Sequence, residues 1–268
     1  MRLIEAARTA YIIAHTEETG QLVAVLESEG FKVVVLRRDY PGAEAQYSRM
    51  ARCLLNHCDA WRRIADGGLP AIVVEADFVP VVGFANREAV FDPSEDDRAV
   101  GWLYAGGPVV YSVDEHRRAI GHSSTTVAML VTPTGAKALL EFGQREISES
   151  RGGYTPWDTY ASHRLRREMS IATYQPFRQY GEHGGRANAE HVQHGVRGWH
   201  QADRLLGRLA FLPAYAEGSK VRYWFVRRRA NLRGLMRLLL FRYFEYPAFK
   251  ASRQKTALLG YAMRRWLW

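Results

Sequence analysis

The chain has 268 residues, of which 47% are hydrophobic, so a chain disordered throughout is excluded, and one large globular domain, or one domain plus an appendage, is expected. The formal net charge of +9 is unevenly spread. Residues 220–268 hold 13 Lys and Arg against one acid (net +12), whereas residues 1–219 hold 24 against 27 (net −3). The basic segment therefore predicts a polyanionic partner, either nucleic acid or an anionic membrane surface.

The first 80 residues alternate between short apolar runs and longer segments with helical spacing. The apolar runs predict strands at 10–14, 31–36 and 70–74, and the helical spacing predicts helices at 17–30 and 44–66. Strands that alternate with helices in this way form mostly parallel sheets with helices on both faces. The expected fold class is therefore α/β.

Three more apolar runs follow, and they predict strands at 100–104, 109–113 and 127–131. The last of these runs leads into Thr132 and Pro133, a capping residue followed by a proline that fits the first helical position, and predicts a helix over Ala136–Phe142. A further helix is expected after Trp157 and Asp158, ending at about Arg167.

Two acids one residue apart, Glu75 and Asp77, end the third predicted strand. Ligands of open α/β sheets bind beyond the carboxyl ends of the strands. In extended chain the two side chains would point to the same side, where they could hold Mg²⁺ or Mn²⁺ together with a diphosphate. The alternative is a pair of ordinary strand-end acids facing solvent.

Four blocks, in the same order and spacing, resemble glycosyltransferase family 25, which makes bacterial lipopolysaccharide and related glycans. The resemblance covers about residues 8–180. Its blocks are a helix with an Asn-His pair and a downstream Trp (52–64), an apolar strand ending in Glu-Ala-Asp (70–79), a strand followed by Thr-Pro-Thr-Gly-Ala and a Leu-rich helix (121–140), and Pro-Trp-Asp (156–158). Two positions depart from the family: Asn56 replaces a Ser, and Ala76 replaces the middle acid of Glu-Asp-Asp.

The resemblance implies a GT-A fold with a Rossmann-type sheet, a nucleotide-sugar donor and a divalent cation, Mn²⁺ or Mg²⁺. The donor would be bound by Asn56, His57 and Glu75, and the cation by Glu75 and Asp77. An inverting transfer needs a base to deprotonate the acceptor hydroxyl, and Asp158 is the candidate. Alternatively, Asp158 is an acid at the beginning of a helix, and His57 is a buried histidine that holds the loop near the donor.

A Gly- and His-rich segment follows the matched region. Here Gly184 and Gly185 would bring backbone close to a phosphate of the donor, and Arg186 and His183 would offer hydrogen-bond donors to it. The resemblance to GT-A enzymes implies in addition that His183 completes the metal site. A polar surface loop is the alternative. A third interpretation is a zinc site built from the segment's four histidines, which are His183, His191, His194 and His200.

The basic segment 220–268 is predicted to be a helical extension to a transferase domain at 1–219. Arg229, Arg233 and Arg237 form one stripe of a helix, while leucines and many aromatic residues occupy the rest. This composition is typical of an amphipathic helix on an anionic membrane. A helix packed on the body is the alternative, and nucleic acid is disfavoured because no nucleic-acid-binding motif accompanies the charge.

Neither a spanning helix nor a signal peptide is predicted, and Cys53 and Cys58 are interpreted as reduced thiols. The sequence thus predicts an inverting glycosyltransferase at the cytoplasmic face of a bacterial inner membrane. It would act on a lipid-linked glycan of lipopolysaccharide, O-antigen or capsule synthesis. The alternatives are a histidine-cluster metal hydrolase and a non-catalytic membrane or polyanion adaptor with a transferase-like body.

Overall fold

A computed structural model describes residues 1–185, 189–195 and 201–267 of the chain, without the side chains of Ala189, His191 and Leu267. The strands are β1 (Thr9–Ala14), β2 (Lys32–Arg37), β3 (Ala71–Glu75), β4 (Phe78–Pro80), β5 (Ala99–Tyr104), β6 (Val109–Val113), β7 (Ala119–His122), β8 (Ala128–Val131), β9 (Ala172–Gln175) and β10 (Gly181–His183). The α-helices are α1 (Leu3–Ala6), α2 (Gly20–Ser28), α3 (Arg49–Gly67), α4 (Pro133–Ser150), α5 (Ala161–Glu168), α6 (Ala189–Gln193), α7 (Lys220–Leu239), α8 (Tyr246–Ala251) and α9 (Lys255–Leu267).

Eight strands form the central sheet in the order β2-β1-β3-β8-β5-β9-β7-β6, and β4 pairs with β10 in a separate two-stranded sheet. Following the pairings across the central sheet, β7 and β8 run against the other six strands. The predicted α/β class with a mostly parallel, Rossmann-like sheet is therefore confirmed.

Helices cover both faces of this sheet, which explains why its strands are apolar runs rather than alternating ones. Leu22 and Leu26 of α2 pack on one face with Ile12 of β1. The opposite face carries α3, α4 and α5, and Ile13, the next residue of β1, packs there with Trp61. Successive strand residues thus enter two different hydrophobic cores.

Capping hydroxyls set the starts of the two longest body helices. Ser48 accepts a hydrogen bond from the amide of Ala51 at 3.0 Å, so α3 begins at Arg49, and the prediction of one helix from residue 44 is wrong. A separate 3₁₀ turn occupies Gly42–Gln46. The predicted cap at Thr132 is confirmed by its bond from the amide of Gly135 at 3.0 Å, and α4 continues to Ser150 rather than ending at Phe142.

The basic segment packs against the body. Tyr243, Leu258 and Tyr261 share a hydrophobic cluster with Val110 and Val113 of β6. Two buried ion pairs join it to the preceding chain: Arg227 with Glu182 at 3.0 Å and Arg265 with Asp203 at 2.5 Å. None of the described helices combines the length and the apolar character needed to cross a bilayer.

Candidate active site

A turn after β3 carries the two acids singled out in the sequence. Glu75 is the last residue of β3, and Ala76 and Asp77 form the turn into β4. The amide of Ala76 donates to the carbonyl of Ile13 at the end of the adjacent parallel strand β1 (2.9 Å). The acids therefore lie at the carboxyl ends of two neighbouring parallel strands, although the chain turns after Glu75 and does not stay extended.

The pairing of β10 with β4 brings His183 to these acids. His183 is in register with Phe78, and the amide of Gly184 donates to the carbonyl of Asp77 at 2.7 Å. Nε2 of His183 then lies 2.9 Å from Oδ2 of Asp77. Glu75, Asp77 and His183 each offer a ligand atom, and these atoms lie within 4.8 Å of one another.

Two carboxylates and an imidazole are a donor set that suits a divalent cation such as Mn²⁺ or Mg²⁺. Burial alone would lower the pKa of His183, but the charge and hydrogen bond of Asp77, with the charges of Glu75 and Asp158, raise that pKa to about 9. The excess of negative charge at this point is what a cation would neutralise.

Gly185 allows the chain to pass directly over the Asp77 carboxylate. A Cβ atom on Gly185 would stand 2.0 Å from Oδ2 of Asp77, closer than any side chain can approach. In the described residues this glycine lies against the protein's own carboxylate, and its predicted approach to a phosphate stays a prediction. Arg186, the predicted donor-binding residue that follows, lies outside the described residues.

Asp158 lines one cleft together with Glu75, Asp77 and His183, and the turn that carries it packs on the sheet face covered by α3, α4 and α5. It lies in a 3₁₀ turn, Trp157–Thr159, that precedes α5 and is anchored by the buried Trp157 ring. Burial, reinforced by the charge of Glu75, raises the pKa of Asp158 to about 7. A carboxylate with such a pKa can accept a proton near neutral pH.

Asn56 and His57 support the ends of the strands from α3. The Asn56 amide donates to the carbonyls of Ala14 (2.8 Å) and Leu36 (3.1 Å), which tethers α3 to β1 and β2, and Asn56 also lines the cleft. His57 is fully buried beside Trp61 and Trp157, with Nε2 3.5 Å from Oε1 of Glu75. His57 lies behind Glu75, and both of its predicted roles, binding the donor and holding the loop near the donor, stay predictions.

A second group of possible ligands is less suited to a metal. Cys53, His57 and Glu75 also have ligand atoms within 4.8 Å of one another. Burial and the nearby carboxylates raise the pKa of the Cys53 thiol well above its ordinary value, whereas metals bind the thiolate. Both cysteines are free thiols, as predicted.

The four-histidine zinc site finds no support in the described residues. His183 is buried beside Asp77, whereas His194 is exposed and its ring stacks on Tyr154 with centroids 3.8 Å apart. Among the described residues, no metal-ligand group includes His194. The side chain of His191 and all of His200 lie outside the description.

A cleft of about 1650 Å³ contains the candidate residues, and Glu75, Asp77, Asp158 and His183 all line it. Pockets for one small ligand are typically about 300–1,000 Å³, so this cleft has room for two substrates. The basic segment also contributes to its wall, through Arg233, Arg237 and Arg242.

The contribution of Arg233 and Arg237 was missed by sequence reasoning, which placed their stripe against a membrane. Nη2 of Arg237 donates to the carbonyl of Pro108 at 2.8 Å, so this side chain faces the body. The four-residue spacing showed that the arginines share a helix face but not which surface that face meets.

Comparison with known proteins adds no family: no protein-family model matches the chain, and none of the curated proteins matches it significantly.

Proposed function

We propose that the protein is an inverting glycosyltransferase of GT-A type that moves a sugar from a nucleotide-sugar donor to a lipid-linked glycan. One observation carries the proposal: Glu75, Asp77, His183 and Asp158 meet in a single cleft at the carboxyl ends of parallel strands. A group that could hold a cation, beside a half-buried carboxylate with a pKa of about 7, would meet the two chemical needs of such a transfer.

The residues of the cleft would have separate roles in the transfer. Asp158 would take the proton of the acceptor hydroxyl. The hydroxyl oxygen would bond to the anomeric carbon of the donor sugar while the bond between that carbon and the diphosphate breaks. Glu75, Asp77 and His183 would hold a divalent cation, which supplies positive charge to the departing diphosphate. His57 would keep Glu75 in place from the buried side.

The exposed face of α7 supports a site of action at a membrane. Large apolar side chains follow that face, with exposed fractions of 62% for Phe225, 62% for Leu232 and 62% for Leu239. Exposed arginines flank it, among them Arg222 and Arg228. An apolar stripe bordered by cations is the pattern of a helix lying on an anionic bilayer, here the cytoplasmic face of a bacterial inner membrane.

Transfer assays with Asp77→Ala test the donor site. Asp77→Ala should abolish sugar transfer while its circular dichroism spectrum stays that of the parent protein. Glu18→Ala is the matched control, since Glu18 is an exposed acid of the same cleft outside the metal-ligand group. Full activity in Asp77→Ala would refute the assignment.

A thermal-shift screen identifies the donor. Sugar nucleotides of the common bases are added with and without Mn²⁺, and the true donor should raise the melting temperature by mass action, more strongly with the metal. A protein that binds none of them, with or without Mn²⁺, is not a glycosyltransferase of this type and would fit the adaptor alternative.

A further inference from the structure

The structure assigns a second role to the basic segment, which rests on the proposed function: Arg233, Arg237 and Arg242 bind a phosphate group of the acceptor, and that acceptor is a lipid phosphate. These arginines come from the end of α7 and the turn after it, and all three line the cleft that holds Glu75, Asp77 and Asp158. The site lies outside the metal-ligand group.

Arg237 is held in place by carbonyl groups rather than by an acid. Its Nη2 donates to the carbonyls of Pro108 (2.8 Å) and Arg242 (3.1 Å), and its Nε is buried without a hydrogen-bond partner. Within the described chain, no carboxylate lies within ion-pair distance of Arg237. Its charge is thus fixed at the cleft wall with donors still available.

The acid whose charge acts on Arg233 and Arg237, Asp203, is already engaged by other groups. Asp203 accepts hydrogen bonds from Arg265 Nη2 (2.5 Å), Arg265 Nε (3.1 Å) and the Tyr243 hydroxyl (2.6 Å). The Asp203 carboxylate attracts Arg233 and Arg237 at longer range, but its negative charge is already balanced by Arg265. Asp203 therefore does not neutralise Arg237.

Placing these arginines together is unfavourable without an anion. Burial lowers the pKa of Arg237, and the charges of Arg265 and Arg242 lower it further. Burial and the charge of Arg237 likewise lower the pKa of Arg233. A phosphate would relieve this repulsion and accept several charge-assisted hydrogen bonds from the guanidinium groups.

The position of α7 favours a lipid phosphate over the donor's diphosphate. The same helix turns Leu232, Met236 and Leu239 outward as an exposed apolar stripe next to the arginines that line the cleft. A helix lying in the headgroup region would present Arg233 and Arg237 at the depth where lipid phosphates lie. The donor's diphosphate is already provided for by the cation group at Glu75, Asp77 and His183.

Binding of octyl phosphate, used below its micellar concentration, tests the site. Its affinity should fall at least tenfold in Arg237→Gln and in Arg242→Gln and stay unchanged in Arg229→Gln. Arg229 is the matched control because it is exposed on the same helix and does not line the cleft. Arg242→Gln keeps the test valid if Arg237→Gln folds poorly, since the Arg242 side chain is exposed.

Two further probes distinguish the sources of phosphate. Inorganic phosphate should bind at least tenfold more weakly than octyl phosphate; equal affinity would mean a free-anion site and overturn the lipid assignment. The affinities of nucleoside diphosphates, measured with Mn²⁺, should not change in Arg237→Gln or Arg242→Gln. A tenfold loss there would place these arginines in the donor site and overturn the proposal.

The outcomes also separate this proposal from the proposed function. Nucleoside diphosphate binding that depends on Asp77, together with octyl phosphate binding that is unchanged in Arg237→Gln and Arg242→Gln, would overturn the phosphate site alone. Absence of any nucleotide binding in the parent protein would refute the transferase assignment, and with it the acceptor role given to these arginines.

Discussion

Nε2 of His183 lies 2.9 Å from Oδ2 of Asp77, and the pairing of β10 with β4 fixes this contact between distant parts of the chain. The contact places His183 in the group that could hold a cation and not in a surface loop. We expect His183→Gln to weaken Mn²⁺ binding by more than about tenfold in calorimetry.

His194→Gln is the control for that experiment, because His194 is exposed and stacks on Tyr154. It should leave Mn²⁺ affinity unchanged. If tightly bound zinc were instead present and lost in His194→Gln, the histidine-cluster hydrolase would be the better description of the protein.

Replacing the candidate base should reduce turnover without reducing donor affinity. Asp158→Asn keeps the size and shape of the side chain but removes its ability to accept a proton. We expect kcat to fall by about 10²–10⁴, the usual contribution of a general base, while the KM for the donor stays within about twofold. Glu18→Gln is the control, an acid of the same cleft outside the cluster. An unchanged kcat would show that Asp158 is not the base.

The site's separate parts could be predicted from sequence to different extents. Glu75 and Asp77 were found because a strand end is a local feature and the carboxyl ends of parallel strands face one edge of the sheet. His183 was named, but its partner depends on the β10–β4 pairing across more than a hundred residues, which periodicity does not encode.

Helix α7 shows the limit of periodicity most clearly. The spacing correctly predicted a helix and grouped Arg229, Arg233 and Arg237, yet Arg229 is exposed whereas Arg237 faces the cleft. The orientation depends on distant packing. Gly234 lets α7 approach the body, since a Cβ there would lie 2.4 Å from the Trp266 ring and 2.7 Å from Asp203.

The ion pair between Arg265 and Asp203 should be essential for stability. Arg265 is fully buried, so Arg265→Ala leaves the Asp203 carboxylate buried without its charge partner. Breaking a buried pair in this way costs about 3–5 kcal/mol of unfolding free energy. Urea unfolding measures the loss, and Arg264→Ala, an exposed neighbour on α9, should change stability by less than about 0.5 kcal/mol. Equal effects in both variants would contradict a docked segment.

His122 should make the fold sensitive to mild acid. Its Nδ1 lies 2.8 Å from the Ser162 hydroxyl, and burial, with the charges of His163 and Arg166, lowers its pKa to about 4. An unfolded histidine titrates near pH 6.5, so the unfolded state binds more protons between about pH 6.5 and 4. The free energy of unfolding should therefore fall as pH falls through that window.

Urea unfolding at several pH values tests this assignment. In His122→Gln the decline between pH 6.5 and 4 should become shallower, because the side chain no longer titrates. His116→Gln is the control, since the His116 side chain is 54% exposed, and it should keep the parent's pH dependence. An identical slope in the parent protein and His122→Gln would show that another group dominates.

Membrane binding is best tested by point variants, because deleting residues 220–268 would uncover the buried carboxylates of Glu182 and Asp203. Leu232→Glu and Leu239→Glu place a charge on the exposed apolar stripe of α7. Both should reduce co-sedimentation with phosphatidylcholine–phosphatidylglycerol vesicles by about tenfold or more, because each removes an exposed leucine that the bilayer would bury and adds repulsion from the anionic lipids.

Leu69→Glu is the matched control, as Leu69 is 74% exposed in the loop between α3 and β3. It should bind vesicles like the parent protein. Binding of the parent should also weaken with added salt and on replacing phosphatidylglycerol by phosphatidylcholine, because the flanking arginines act through charge. If vesicle binding were unchanged in both leucine variants, by added salt and by the lipid charge, α7 would not be the membrane-facing surface.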